Sequence, residues 1–179
     1  VTTGEGDESA VTILKLSNCN VDLSSWRAGL LAMNATGSKI VQLIIHNCEL
    51  TPAHLDDLLL ALDKMGVCQV LKVDFCKIVY PKKVVQEGEG EGEVIAEGES
   101  EPQADPTLAL LPLLSSNSCS IQYLSLKGMT LGDAFFSSET FIQNIYSNIM
   151  LEGLNLSGNH ITDEGMKSIF NVLKVSPSI

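Results

Sequence analysis

Apolar and polar residues follow one eleven-residue pattern five times along the chain. Positions one, four, six and eleven are apolar, and position nine is Cys, Met or Asn. The five blocks are VTILKLSNCNV, IVQLIIHNCEL, CQVLKVDFCKI, IQYLSLKGMTL and LEGLNLSGNHI, beginning at Val11, Ile40, Cys68, Ile121 and Leu151. Their position-four leucines are separated by 29, 28, 53 and 30 residues. A near-constant period with one enlarged interval is typical of repeat architectures.

Each block alternates as a half-buried strand does, and helical spacing follows it. In unit two, Thr51 and Pro52 predict a capped helix start. Its predicted buried stripe is Leu55, Leu58, Leu59 and Leu62. The fourth unit predicts a helix over 133–147 with Phe135, Phe141, Ile142 and Ile145 inward. Thr162 predicts the last helix start, with a buried stripe of Met166, Ile169, Phe170 and Leu173.

The enlarged interval contains an acidic insertion at 81–105. Its residues 86–105 carry eight acids and no Lys or Arg, a composition that predicts disorder. The predicted fold resumes in a helix at Pro106 and Thr107. Residues 1–10 predict a flexible lead-in, so that one repeat domain of about five units occupies 11–179.

The five blocks resemble leucine-rich repeats of the ribonuclease-inhibitor subtype. The unit at 151–179 matches best, and LIIHNCELTPAHLDDLLLAL also resembles repeats of NACHT-type innate immune receptors. The resemblance implies an α/β solenoid, a horseshoe arc with a parallel concave sheet and convex helices. In such families the position-nine residue bonds to loop backbone. Cys19, Cys48, Cys76 and Asn159 fit that role, whereas Met129 departs from it and predicts a weaker ladder there.

Charge and composition exclude several classes of function. The formal charge of −11, from 22 acids and 11 Lys and Arg, disfavours nucleic acid as a partner. No apolar run is long enough for a membrane span. No catalytic motif accompanies the three histidines, so an enzyme is not expected, and neither is a cofactor or a metal.

The cysteines favour buried, reduced thiols over disulfides or zinc, because Cys19, Cys48 and Cys76 recur at one repeat position and no CxxC pair is present. Reduced thiols indicate a cytoplasmic protein, and family analogy adds a cytoskeletal or ciliary location. Two sequons, beginning at Asn34 and Asn155, mildly oppose this location.

Repeat positions three, five and seven predict the residues of the concave face. The candidate partner-binding residues are Lys15, Ile44, His46, Lys72, Asp74, Tyr123, Lys127 and Asn155. Three lysines with apolar neighbours fit an acidic or extended protein surface. The alternative is a merely solvated face, because lysines on strands also discourage edge pairing. His46 and Asp74 are expected to be cross-strand neighbours, either as a pH-sensitive pair or as an ordinary surface pair.

The sequence therefore predicts a protein-interaction scaffold or adaptor that binds its partner on the concave face. It is expected to be monomeric on its own or part of a larger chain or assembly. The alternative is the regulatory repeat domain of a GTPase-activating protein or an innate immune receptor. A further hypothesis is that the acidic insertion folds back over Lys15, Lys72 and Lys127 and competes with the partner, while a solvating spacer is its simpler role.

Overall fold

The computed structural model describes residues 13–35, 40–80, 105–115 and 120–179. Short strands and helices follow one another along the chain. In chain order they are β1 (Ile13–Ser17), α1 (Leu23–Ala35), β2 (Gln42–His46), β3 (Glu49–Leu50), α2 (Pro52–Met65), β4 (Val70–Asp74), β5 (Lys77–Ile78), a 3-10 helix (Pro106–Leu114), β6 (Tyr123–Ser125), α3 (Asp133–Ser137), α4 (Glu139–Ser147), β7 (Gly153–Asn155) and α5 (Asp163–Leu173). Residues 81–104 of the acidic insertion, the lead-in at 1–10 and Cys119 lie outside the described residues.

Five strands form one parallel sheet in the order β1-β2-β4-β6-β7, and β3 pairs with β5 in a second, two-stranded sheet. The predicted alignment of the five blocks is confirmed residue by residue. The position-four leucines are successive Cα partners across the sheet: Leu14, Leu43, Leu71, Leu124 and Leu154. Because side chains alternate between the two faces of a strand, this register places equivalent residues of all five units on one face.

The core lies between the helices and the sheet face that bears positions four and six. Leu43, Ile45, Leu71, Val73 and Leu124 are almost fully buried there. They join helix residues such as Leu55, Leu58 and Leu62 in one hydrophobic cluster. Each fully buried side chain of this size contributes about 1.5 to 3 kcal/mol, and each unit depends on its neighbours to bury its flanks.

Position nine forms a ladder of side chains that bond to backbone. Cys48 and Cys76 donate through Sγ to carbonyl oxygens of their own and the preceding unit, at 3.4 to 3.9 Å. Asn159 is the strongest rung, since its Oδ1 accepts from the Met129 and Leu131 amides and its Nδ2 donates to Leu126 and Leu156. Met129 has no proton to donate, but its Sδ accepts from the Cys76 amide at 3.2 Å. The ladder thus keeps its acceptor at Met129 and lacks only the donor.

Helix α2 begins with a capping box in which histidine replaces the usual Glu or Gln. The Thr51 amide donates to Nδ1 of His54, and the other ring nitrogen lies 3.1 Å from the Val21 carbonyl oxygen of unit one. Trp26 packs edge-on against the His54 ring and donates to the His54 carbonyl. The predicted start at Thr51 is confirmed, and His54 fastens the first unit to the second.

The predicted helix over 133–147 is interrupted at Ser138, so that α3 ends just before this residue. The Ser138 hydroxyl accepts from the Phe141 amide and thereby caps α4. The break turns Phe136 inward, where it packs with Phe135 and Phe141 in edge-on and tilted ring contacts. The prediction that Ile142 is buried is wrong, because it is 40% exposed. Phe136, which the spacing did not assign to the core, is fully buried.

The buried stripe predicted for the last helix is wrong at two positions. Ile169 is buried, but Met166 and Phe170 are exposed, whereas Val172 takes a core position. Helix α5 packs against α3 and α4 of unit four. The stripe of α5 therefore covers only the flank that faces unit four.

The segment that follows the acidic insertion is a 3-10 helix over Pro106–Leu114 and not an α-helix. Pro112 lies inside the segment and lacks the amide proton that α-helical bonding requires there, which favours the tighter helix. By composition, Asp105 is assigned to the acidic insertion. In the structure its carboxylate accepts from the Thr107 amide at 2.9 Å and caps this helix. The segment packs on α2 and α4, so it replaces the helix of the third unit.

Gly165 is required where unit five contacts unit four. Asp133 accepts hydrogen bonds from Thr162 and the Gly165 amide, which lower the pKa of its carboxyl group. A Cβ at Gly165 would lie 2.2 Å from Asp133 Oδ1, whereas a Cβ at Gly29 in α1 would meet nothing within 4 Å.

We therefore expect Gly165→Ala to lower the free energy of unfolding by about 1 to 3 kcal/mol, because the carboxylate must move. The matched control Gly29→Ala should raise it by up to about 1 kcal/mol through helix propensity. Urea denaturation followed by circular dichroism measures both. Equal effects of the two substitutions would contradict the contact at Gly165.

The position-nine ladder also predicts thiol reactivity. Burial raises the pKa of the Cys76 thiol to about 11. Because the thiolate is the reactive species, we expect Cys76 in a Cys119→Ser background to react with iodoacetamide at pH 8 at least about ten-fold more slowly in the folded protein than in urea. Mass spectrometry of the labelled peptides gives both rates. Comparable rates would show that the ladder opens readily.

Candidate protein-interaction surface

The outer face of the five-stranded sheet carries three in-register rows of side chains. The first row is Ile13, Gln42, Val70, Tyr123 and Gly153, and the second is Lys15, Ile44, Lys72, Ser125 and Asn155. The third row begins with Ser17, His46 and Asp74. It continues to Lys127 and Ser157 through the turns, where the Phe75 amide donates to the Lys127 carbonyl at 2.7 Å and the Gly128 amide to the Ser157 carbonyl at 2.9 Å. These rows define the lysine face.

The register therefore brings the eight predicted partner-binding residues onto one surface. Lys15, Tyr123 and Lys127 are exposed, and the other five are partly buried among their neighbours. Ser125, the only fully buried residue of the second row, closes the surface beneath Asp74. None of Lys15, Lys72 and Lys127 forms an ion pair with any described residue. Their charges are available to a carboxylate from outside the described chain.

Tyr123 is held between a lysine and a glycine. A Cβ added at Gly153 would lie 2.7 Å from the Tyr123 ring, so the ring leans over a position that only glycine permits. The Lys72 ammonium lies over the same ring, 6.0 Å from its centroid. This distance is near the limit of a cation–π contact. Lys72 remains partly exposed.

Phe75 repeats this arrangement at the end of β4. A Cβ at Gly128 would lie 2.4 Å from Phe75 Cδ1, and the Lys127 ammonium lies 5.4 Å from the centroid of the ring. On its other side the ring contacts His46, with centroids 5.4 Å apart. Phe75 nevertheless stays 45% exposed. The pattern did not single out this residue, which belongs to neither the core nor the three predicted rows.

The signal for Phe75 is present in the repeat alignment at position eight. That position adopts left-handed backbone in every unit, at Asn18, Asn47, Phe75, Gly128 and Gly158. Asn and Gly tolerate this conformation, whereas a bulky residue there costs about 1 to 2 kcal/mol. One phenylalanine in a column of Asn and Gly therefore marks a position where local strain is retained.

Asp74 serves the sheet more than it serves His46. The two are cross-strand neighbours as predicted. The Asp74 carboxylate, however, accepts from the Ser125 hydroxyl at 2.5 Å and from the Lys127 amide at 3.1 Å, on the side of β6. His46 instead packs its ring on Phe75. Asp74 thus fixes the turn that presents Lys127, and the pH-sensitive pair has no hydrogen bond among the described residues.

Asn155 closes the far end of the face by holding its own turn. Its Oδ1 accepts from the Ser157 amide at 3.0 Å and from the Ser157 hydroxyl at 2.7 Å. This side chain is therefore less free to reach a partner than the lysines are. Ile44, in the second row, is a partly buried apolar residue between Lys15 and Lys72.

Within the four described ranges, no group of three or more His, Cys, Asp or Glu side chains is arranged to hold a metal ion. The described helices include none long and apolar enough to cross a membrane.

Part of the chain matches a known protein family. A family model described as Leucine Rich repeat matches residues 147–170, which contain β7 and the first part of α5. This match and the parallel in-register sheet support a leucine-rich repeat protein with an α/β fold, and such domains generally mediate protein interactions. No curated protein matches the chain.

The contact between Phe75 and Gly128 predicts a specific pattern of stability. Gly128→Ala and Gly158→Ala both place alanine in left-handed backbone, but a Cβ at Gly158 would meet only the Gly128 backbone at 3.7 Å. We expect Gly128→Ala to be the more destabilising by about 1 to 2 kcal/mol, because it displaces the ring.

Urea unfolding of both alanine variants, in the wild-type and Phe75→Asn backgrounds, measures this difference. Removal of the ring should make the two substitutions equal. A difference that persisted without the ring would place the steric conflict elsewhere.

Proposed function

We propose that this chain is a scaffold or adaptor domain without enzymatic activity that binds a protein partner on the lysine face. The observation that carries the proposal is the in-register display of Lys15, Lys72 and Lys127 beside exposed apolar side chains, with no described carboxylate paired to them. Phe75 and Tyr123 supply aromatic area next to that charge. Interfaces favour aromatic anchors surrounded by polar residues.

The partner we propose is acidic. The face carries three lysines against Asp74, whose carboxylate accepts hydrogen bonds from the Ser125 hydroxyl and the Lys127 backbone amide. This local positive charge occurs on a chain whose formal charge is −11, of which the eight acids of 86–105 account for most. Such a local contrast steers an acidic partner to this face and repels it from the rest, with a strong dependence on ionic strength.

We further propose that the fold belongs to the ribonuclease-inhibitor subtype and that the sheet curves so that the lysine face is concave. Strands about 4.8 Å apart opposite wider helices favour that curvature. The proposed domain spans 11–179 and is interrupted at 81–105, and the proposed location is cytoplasmic, including cytoskeletal or ciliary structures. The regulatory alternatives rest on resemblance alone. Acceleration of GTP hydrolysis by a small GTPase would favour an activator over a passive adaptor.

Charge reversal on the lysine face tests the proposal. We expect the triple variant, with Lys15, Lys72 and Lys127 all changed to Glu, to bind the partner about ten-fold or more weakly at low salt. The charge reversal replaces attraction of an acidic partner by repulsion. The matched control changes Lys64, Lys77 and Lys167 to Glu, which alters total charge equally at exposed positions away from the three rows.

Proteins retained by the immobilised full chain are identified by quantitative mass spectrometry, and those lost only with the face variant are purified and titrated calorimetrically. Equal losses with both triple variants would reduce the effect to net charge. Retention of the partner by the face variant would move the interface to the helices or loops.

A further inference from the structure

We propose that Phe75 is the anchor of the lysine face, and that it selects partner segments in which an aromatic side chain is flanked by carboxylates. This inference rests on the proposed function and specifies its partner chemistry. The site consists of the exposed Phe75 ring, His46 on one side of it, and Lys127 with Gly128 on the other.

The backbone at Phe75 indicates that the ring is retained for something other than folding. Its φ is 55°, beside 51° at Asn47 and 64° at Gly128. In unit one and unit two the same position is Asn, and Asn47 Nδ2 donates to Asn18 Oδ1 at 2.6 Å. Asparagine at position 75 would suit the left-handed backbone, which phenylalanine occupies only at a cost. Strain kept at an exposed residue is characteristic of binding sites.

The surroundings of Phe75 determine which ligand fits. The bare backbone of Gly128 leaves room for the Phe75 ring against the turn, and Phe75 remains 45% exposed. An aromatic side chain of a partner can therefore pack on it, in the edge-to-face or offset geometry that such rings prefer. The Lys127 ammonium, 5.4 Å from the same centroid, is placed for a carboxylate beside that side chain.

The neighbouring cluster extends the same chemistry along the sheet. Lys72 and Tyr123 repeat the lysine-over-aromatic arrangement, with the ring over Gly153. In the described residues neither Lys72 nor Lys127 has a carboxylate partner. Both lysine–aromatic pairs bridge β4 and β6 or the turns that follow these strands, and together they fit a segment with acids on both sides of its aromatic residue. An apolar segment without acids would leave both ammonium groups unpaired, and nucleic acid would face the negative charge of the chain.

Three labelled peptides test this preference by fluorescence anisotropy with the full chain at low salt. The first is Gly-Glu-Glu-Phe-Glu-Glu-Gly, the second has Ala in place of Phe, and the third has Gln in place of every Glu. We expect the first to bind about five-fold more tightly than the second, as one aromatic contact provides, and more tightly than the third. Equal binding of the first and second peptides would overturn the anchor while leaving acidic recognition in place.

The variant Phe75→Asn separates binding from folding. We expect its urea midpoint to equal or exceed that of the wild type, since the left-handed strain is relieved, and its preference for the first peptide over the second to disappear. Residual, salt-sensitive binding of both acidic peptides should remain, because the lysines are intact. A lower urea midpoint with unchanged peptide preference would make Phe75 a packing residue and overturn the proposal. The charge-reversed lysine variant provides the second control, since it should lose both acidic peptides.

The outcomes distinguish this inference from the proposed function. If the wild type binds neither acidic peptide above the Gln peptide, acidic recognition by the face fails and the anchor fails with it. If it binds both acidic peptides equally, only the anchor fails. If it prefers the aromatic peptide and Phe75→Asn retains that preference, the aromatic contact lies elsewhere, and Tyr123→Ser then tests the neighbouring cluster.

Discussion

The in-register stacking of parallel strands is the constraint on which the rest of the molecule depends. One pairing register joins Leu14 to Leu154 through all five strands. It buries the apolar positions against the helices and, because the side-chain period is two, exposes the intervening positions together. A slip of one residue in any strand would exchange core and surface. The lysine face is thus a by-product of the same register that forms the core.

Side-chain bonds to backbone reinforce this register at the turns. Asn159 alone holds the Met129 and Leu131 amides of the preceding unit. Asp74 does the same on the exposed side, where it bonds to Ser125 and the Lys127 amide. Losing such a residue leaves buried polar groups without partners at about 1 to 3 kcal/mol each. These hydrogen bonds therefore hold the turn that presents Lys127 in place.

Glycine at two surface positions gives the lysine face its aromatic character. Tyr123 leans on Gly153 and Phe75 on Gly128, and a lysine ammonium lies over each ring. The glycines leave room for rings that would otherwise project into solvent. In this way the sheet presents aromatic area and positive charge at the same two points, a combination suited to a segment that carries both an aromatic residue and acids.

The sequence alone determined the repeat, the strand register and the placement of Lys15, Lys72 and Lys127 on one face, because these follow from one apolar pattern that recurs in five units. It did not determine which flank of a helix finds a neighbour, so Ile142, Met166 and Phe170 were assigned to the core and are exposed. It also could not place the Asp74 carboxylate or the Phe75 ring. Those depend on contacts between residues about 50 positions apart, which arise only once unit four stacks on unit three.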